Sequence, residues 1–357
     1  MPLRLLVVGT GFGKTYLEAA KANPSHWEIA GLVARTAGSL AETSPRFNIP
    51  EECQFTDLDT ALDTLPDIDA VVIAVPNEQH HALAAKVLDR GLNLAIEKPI
   101  TDTWDEAADL VHRLDAHPSV KAMVGQTLRG EIPIRMMDYH LRDGKIGRID
   151  QILFECHWNW VVSHPESDKN WRFRLPDMYL DDIGVHNIDE IRMLSGNKKA
   201  LSVVCQTWTP PSFPIKEITA ASASATITLE DDIHVSYFGS MASKGHDVGW
   251  YGRIHLFGDK GCMFREASGQ PYLYLGDSTT PIGLDDAYGD DVDEYLPMIE
   301  FDKIPYLLED FYQAIKDDRP PITDLHDNLN THAIIQAMKL SVREDRLVDV
   351  QSEFPMP

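Results

Sequence analysis

The stretch Val7–Lys14, VVGTGFGK, decides the fold. It closes an apolar run, LRLLVVG, and opens a helix-compatible segment, KTYLEAAKAN. A glycine-rich turn between a buried strand and a helix is the pattern of a dinucleotide-binding unit. Gly9 makes the tight turn and Gly11 lets the backbone approach a pyrophosphate, with Thr10, Phe12, Gly13 and Lys14 completing the loop. Phosphates are favoured there because first-turn N–H groups lack intrahelical partners and the helix dipole is positive at that end. The motif's third glycine would fall at position 14. The chain has Lys14 there, and an extra Gly13 before it.

Working outward, the next apolar runs are WEIAGLVAR, DAVVIAV, LNLAIEK and VKAMVGQ, with helix-compatible segments between them. Strands buried on both faces and alternating with helices predict an α/β, doubly wound parallel sheet over residues 1–126. From 127 to 357 the pattern changes. IPIRMMDYHLRDGKIG reads as one helix ending at Gly144, and ATITLEDDIHVSYFG as a hairpin with one polar face. GRIHLFGDKGCMFRE is a second hairpin, turning at Gly258 to Gly261. This part is expected to be α+β, with an open, mostly antiparallel sheet and two closing helices, about Pro305–Lys316 and Leu325–Val342. The acidic DDAYGDDVDEY, Asp285 to Tyr295, reads as a solvated loop rather than a metal site.

The chain has 357 residues, 43% hydrophobic and 25% charged, and reads as a soluble globular protein of two domains. Its net charge of −24 argues against nucleic acid and anionic membrane as partners, since both require basic patches. No apolar run reaches the ~18 residues that a membrane span needs. The four cysteines are widely spaced, which speaks against a metal or disulfide framework and fits the cytoplasm.

In open α/β sheets the ligand lies beyond the carboxyl ends of the strands. Two strands end there with polar residues: AVPNEQHH brings Pro76, Asn77 and His80, and AIEKPI brings Glu97 and Lys98. The second strand ends in Arg35-Thr36, where an NAD enzyme usually carries an acid for the ribose, about 20 residues beyond the glycines. Arginine pairs instead with a 2′-phosphate, so NADP is expected to be preferred with NAD also usable, the alternative being that Arg35 lies over the adenine of an NAD enzyme without a specific ribose acceptor. Farther on, DDIGVHNID places Asp182 four residues before His186. On a helix they share a face, and a carboxylate beside an imidazole orients a general acid–base histidine. The same residues equally suit the solvated first turn of an ordinary helix.

Taken together, VVGTGFGK, AVPNEQHH, EKP, DGKIG, WRF, LDDIGVHNID and FGDKG resemble the glucose–fructose oxidoreductase and inositol dehydrogenase (Gfo/Idh/MocA) family over nearly the whole chain. The resemblance implies a Rossmann domain, then an α/β domain whose open sheet often makes the dimer contact. It implies a hydride transfer between a nicotinamide cofactor and a secondary alcohol or ketone of a sugar, polyol or cyclitol. Lys98, Asp182 and His186 match the positions that act on substrate, and Arg129, Trp171 and Arg172 match stretches that line the pocket. Trp160 joins these as a face for a sugar ring. The leading Asp181-Asp182, in place of small residues, is a departure that bears on substrate preference. Asp189 reads as a supporting acid. No metal is expected, and a homodimer or homotetramer is. Whether Lys98 or His186 takes the proton is open. So are three other readings: a dinucleotide-sensing regulator, a lyase or glycosidase that uses the nicotinamide transiently, and a dihydrodiol-type dehydrogenase.

Overall fold

The structure, a computed structural model, describes residues 1–160, 175, 177–211, 213, 220–245, 247–267, 269–284 and 301–357. Contacts divide the chain into two units, Met1–Gly130 with Phe301–Leu329 and Pro357, and Glu131–Glu300 with Asn330–Met356. Where a single boundary at 126/127 was expected, the first unit runs to Gly130 and also takes in residues 301–329.

In the first unit the apolar runs become β1 (Leu3–Val8), β2 (Trp27–Val33), β3 (Gln54–Phe55), β4 (Ala70–Ile73), β5 (Asn93–Ile96) and β6 (Ala122–Val124). They form one parallel sheet in the order β3-β2-β1-β4-β5-β6. This is the dinucleotide-binding order, and its topological switch lies between β1 and β4. Leu5, Val7, Val71, Val72, Leu94 and Ala95 have no exposed surface, as strands covered on both faces require. Helices α1 (Gly13–Ala22), α2 (Ala37–Thr43), α3 (Leu58–Thr64), α4 (His80–Asp89) and α5 (Trp104–Asp115) connect them. Thr36, Asp57 and Thr103 cap α2, α3 and α5 with their side chains, whereas Phe12 leaves the start of α1 without one. The returning segment packs by apolar burial: Ile304, Leu307, Leu308 and Phe311 share one core with Leu5, Tyr16, Leu17 and Trp27.

The second unit opens with α6 (Ile132–Arg142), ending two residues before Gly144 as expected. Nine of the described strands then form a mixed sheet, in the order β14-β13-β12-β11-β7-β10-β9-β8-β15. They are β7 (Ile149–His157), β8 (Ala200–Trp208), β9 (Ser222–Leu229), β10 (Ile233–Ser240), β11 (Arg253–Gly258), β12 (Gly261–Arg265), β13 (Pro271–Leu275), β14 (Ile282–Gly283) and β15 (Val348–Asp349). Among the described strands of this sheet, only the β7–β10 pairing is parallel. Both expected hairpins form, and Asp231 and Asp232 turn the first with left-handed backbone at φ 59° and 60°. One face of the sheet is buried through Ile152, Phe154, Val235, Ile227 and Leu256. The other leaves Leu153, Leu201, Val204, Phe257 and Tyr272 exposed. Helix α7 (Val185–Leu194) belongs to this unit. So does all but the first turn of α9 (Leu325–Glu344), while α8 (Lys303–Lys316) belongs to the first.

Candidate active site

The candidate residues fall in both units, and each set is built from its own elements. In the first unit Gly9 has φ +113°, and a Cβ there would run into the Ala74 carbonyl at the end of β4. Only glycine fits that strained close approach at the β1–β4 switch. Gly13, not residue 14, does the packing work of the third motif glycine: a Cβ would lie 3.1 Å from Val7 Cγ1 and 3.6 Å from Ala74 Cβ. Gly11 is different, since, its own atoms and its chain neighbours aside, no atom of the described residues lies within 4 Å of where its Cβ would be. What glycine preserves there is open space beside an uncapped helix start, which fits a dinucleotide pyrophosphate. Beside the switch, Asn77 is 5% exposed and its Nδ2 is a buried donor without a hydrogen-bond partner. An orphaned amide is costly unless a ligand accepts from it. The residues present therefore fit a dinucleotide. Lys14 directs its ammonium to Glu42 at 3.2 Å, and Arg35 is exposed just beyond β2. The Thr36 hydroxyl accepts from Ser39 N at 3.2 Å, so its first task is to cap α2.

The EKP turn follows β5. Glu97 is buried and accepts a 2.7 Å hydrogen bond from the Tyr16 hydroxyl on α1. Burial pushes its carboxyl up to about 7, against the opposing pull of Tyr16 and Lys98. His80 is completely buried, with Nδ1 2.8 Å from Pro99 O and Nε2 2.9 Å from Val75 O. Burial pushes its imidazole down, and these carbonyls pull it back up. With both nitrogens so engaged, His80 bridges the end of β4 to the EKP turn. That corrects the expectation of a direct cofactor contact. Lys98 lies between these two anchors, half-buried.

In the second unit the opening residues of DDIGVHNID do not form the regular polar helix start that their spacing suggests. Leu180–Gly184 is a π-turn that runs directly into α7. Such turns are rare and frequent at functional sites. Asp182 and His186 sit on either side of the junction, 3% and 6% exposed, so the solvated reading fails. Asp181 is held by an ion pair with Lys339 of α9. The His186 ring lies 5.3 Å from that of Trp250. One residue on, Asn187 Oδ1 accepts from Tyr179 and Tyr237 hydroxyls, each at 3.1 Å, and its Nδ2 donates to Trp250 O at 3.1 Å. Asp189 accepts from Thr331 at 2.8 Å, a supporting acid as expected. Glu190 pairs with Arg265 of β12 at 2.5 Å, both buried.

Other expected residues lie elsewhere. Arg129 is buried in the first unit, donating to Ile322 O and to Asp327 at 3.1 Å each. Its guanidinium thus ties the returning segment down, a structural task where a substrate contact was expected. Trp160 is 1% exposed and belongs to the core of the second unit, not to an open face. Trp171, Arg172 and the acidic loop from Asp285 lie outside the described residues. Sequence reasoning missed Tyr16, Asn187, Trp250 and Lys339. Tyr16 sits in an apolar helical pattern, and Lys339 is remote in sequence from Asp181, so neither carries a local signal.

Residues 3–126 match the model of an oxidoreductase family with an NAD-binding Rossmann fold, and residues 134–264 match the GFO/IDH/MocA C-terminal domain. Levoglucosan dehydrogenase of Pseudarthrobacter phenanthrenivorans is 28% identical over 219 residues, 58% of this chain and 55% of that protein. Inositol 2-dehydrogenase of Arthrobacter sp. is 25% identical over 201 residues, 55% of each. The matched region thus spans about half the length of these curated relatives. Among solved structures, a levoglucosan dehydrogenase in complex with NADH and levoglucosan superposes with a TM-score of 0.81 at 20% identity, covering 98% of this chain and 100% of that one. An oxidoreductase from Agrobacterium radiobacter in complex with NAD+, L-tartaric acid and magnesium gives 0.82 at 17%, covering 99% and 100%.

Proposed function

Because the chain belongs to the Gfo/Idh/MocA oxidoreductase family, we propose that it is an NAD(P)-dependent dehydrogenase acting on a secondary alcohol or ketone of a sugar, polyol or cyclitol. When bound, the nicotinamide supplies the hydride-accepting chemistry. Gly9, Gly11, Gly13 and the orphaned Asn77 amide are the residues that would hold it. His186 takes the hydroxyl proton, with Asp182 orienting the ring and favouring its cation. Lys98 donates to the reacting oxygen and stabilises the charge that develops there. The observation that carries this reading is the burial of Asp182 and His186 at a π-turn. Burying an acid and an imidazole costs free energy, and such costs concentrate at functional sites. Trp250, beside the His186 ring, is suited to the apolar face of a sugar.

NADP is the preferred cofactor on this reading, although the two structural neighbours named above hold NADH and NAD+. Arg35 is exposed at the end of β2, free of the acid that NAD-specific proteins place there, and suits a 2′-phosphate. The ratio of kcat/KM for NADP and NAD, measured on a panel of hexoses, anhydrosugars and cyclitols, tests it. The native protein should favour NADP, and Arg35→Asp should move the ratio toward NAD. A native preference for NAD, or a ratio that Arg35→Asp leaves unmoved, refutes the assignment. The exposed apolar face of the second unit's sheet further supports self-association as a dimer or tetramer. The four free thiols suit a reducing, cytoplasmic setting, and among the described residues no helix is long and apolar enough to cross a membrane.

A further inference from the structure

Lys98 is flanked by Glu97, whose buried carboxyl is held by Tyr16, and by Pro99, whose carbonyl is held by the buried His80. Burying a carboxyl immediately before a lysine that must meet substrate has a cost, and the geometry shows what it achieves. Glu97 Oε1 receives the Tyr16 hydroxyl at 2.7 Å, and Glu97 Oε2 receives the Lys98 backbone N–H at 3.3 Å. One carboxyl thus bridges α1, which begins at the glycine loop, to the backbone of Lys98 itself. The seat exists only because residue 125 is glycine: a Cβ there would lie 2.8 Å from the Tyr16 hydroxyl and would strike Glu97 Oε1. On the far side His80 holds Pro99 O from the end of β4.

We propose that Glu97 is a positioning residue for Lys98, and that the Tyr16–Glu97 bond links the glycine-loop helix to that lysine. The proposal rests on the reading of Lys98 given above. The negative carboxylate is the form that accepts from both Tyr16 and the Lys98 N–H, so protonation weakens the bridge. Its titratable neighbours are Tyr16 and Lys98, and burial, the largest influence, holds its carboxyl near neutrality.

The experiment compares the full-length protein with Glu97→Gln, Tyr16→Phe and Lys98→Met. It uses the panel member that turns over fastest and records kcat against pH, cofactor Kd by nicotinamide fluorescence, and Tm. Glu97→Gln should lower kcat roughly tenfold or more, the scale of one charge-assisted hydrogen bond, at nearly unchanged cofactor Kd. Glu97's contribution to the acid limb of the native kcat profile, with its midpoint near 7, should be lost in that variant, leaving only the limb set by the general base. In Tyr16→Phe the midpoint should rise, because the hydroxyl that lowers it is gone. Lys98→Met should abolish turnover. If it does not, or if the native protein turns over no panel member, the reading of Lys98 falls and takes this proposal with it. If Lys98→Met is inactive while Glu97→Gln and Tyr16→Phe keep native kcat and native pH profiles, the proposal alone is overturned. A lower Tm with an unmoved midpoint also overturns it, since a merely structural bond behaves that way.

Discussion

Arg265→Met should damage the second unit more than its position on a strand far along the chain suggests. Arg265 NH2 lies 2.5 Å from Glu190 Oε1, with side-chain exposures of 2% and 0%. Glu190 is on α7, one turn after His186. Removing the arginine leaves a carboxyl in a fully buried site. Burial already pushes Glu190 up, and Arg265 is what opposes it. Breaking a buried pair from one side costs about 3–5 kcal/mol. For a unit of roughly 200 residues that is a fall in melting temperature of roughly 10 °C. The sign of the pH dependence follows from the direction of the shift. A carboxyl whose folded pKa lies above its unfolded value destabilises the fold when ionised, so the loss grows as pH rises through the folded pKa and shrinks below it. Thermal unfolding by circular dichroism at mildly acid and mildly alkaline pH measures both effects. The pair is imperfectly satisfied, since Glu190 Oε2 and Arg265 Nε have no hydrogen-bond partner. Replacing both, as Glu190→Leu with Arg265→Met, should therefore recover most of the stability. A single variant within about 1 kcal/mol of the native protein, or a double variant no better than the single, refutes this account of the pair.

Two further outcomes follow from single clusters. His326 is raised to about 9, first by its hydrogen bond to Asp324 and then by that to Asp115. It should stabilise the first unit below its ordinary value of 6.5 and lose that contribution as pH rises through about 9, so the stability gap between the native protein and His326→Gln should close there; a gap independent of pH contradicts it. Leu153 and Phe257 are 37% and 40% exposed on the outer face of the sheet, so Leu153→Glu with Phe257→Glu should dissociate the oligomer in light scattering. A native protein that is already monomeric at micromolar concentration removes that claim.

Much of the fold was legible because its signals are local. The run into VVGTGFGK and the strand-like segments after it carry the parallel sheet in their own composition, and the hairpins carry their turns in Glu230-Asp231-Asp232 and Asp259-Lys260. The return of residues 301–329 to the first unit was not legible. The apolar face of KIPYLLEDFYQAIK is satisfied by any core, and only packing against Tyr16, Leu17 and Trp27 decides which. At the candidate site, residue types and spacing pointed to Lys98, Asp182 and His186. They did not reveal that Leu180–Gly184 widens into a π-turn, because its residues suit an α-helix equally well. Nor did they show that His80 turns inward, since strand-end position says where a backbone goes and not where a ring points. Asp181 read only as a second acid beside Asp182, and the Lys339 ammonium that neutralises it comes from a helix near the end of the chain.

We propose that this chain oxidises a secondary alcohol through His186 and Lys98. The most direct test is the reduced-nicotinamide absorbance of the purified protein with NADP or NAD and the sugar and cyclitol panel, read beside His186→Ala. The native protein should reduce the cofactor with at least one panel member. His186→Ala should lower kcat by roughly 10²–10⁴-fold while cofactor Kd stays nearly constant. No absorbance change with any member, or near-native turnover by His186→Ala, would contradict the account.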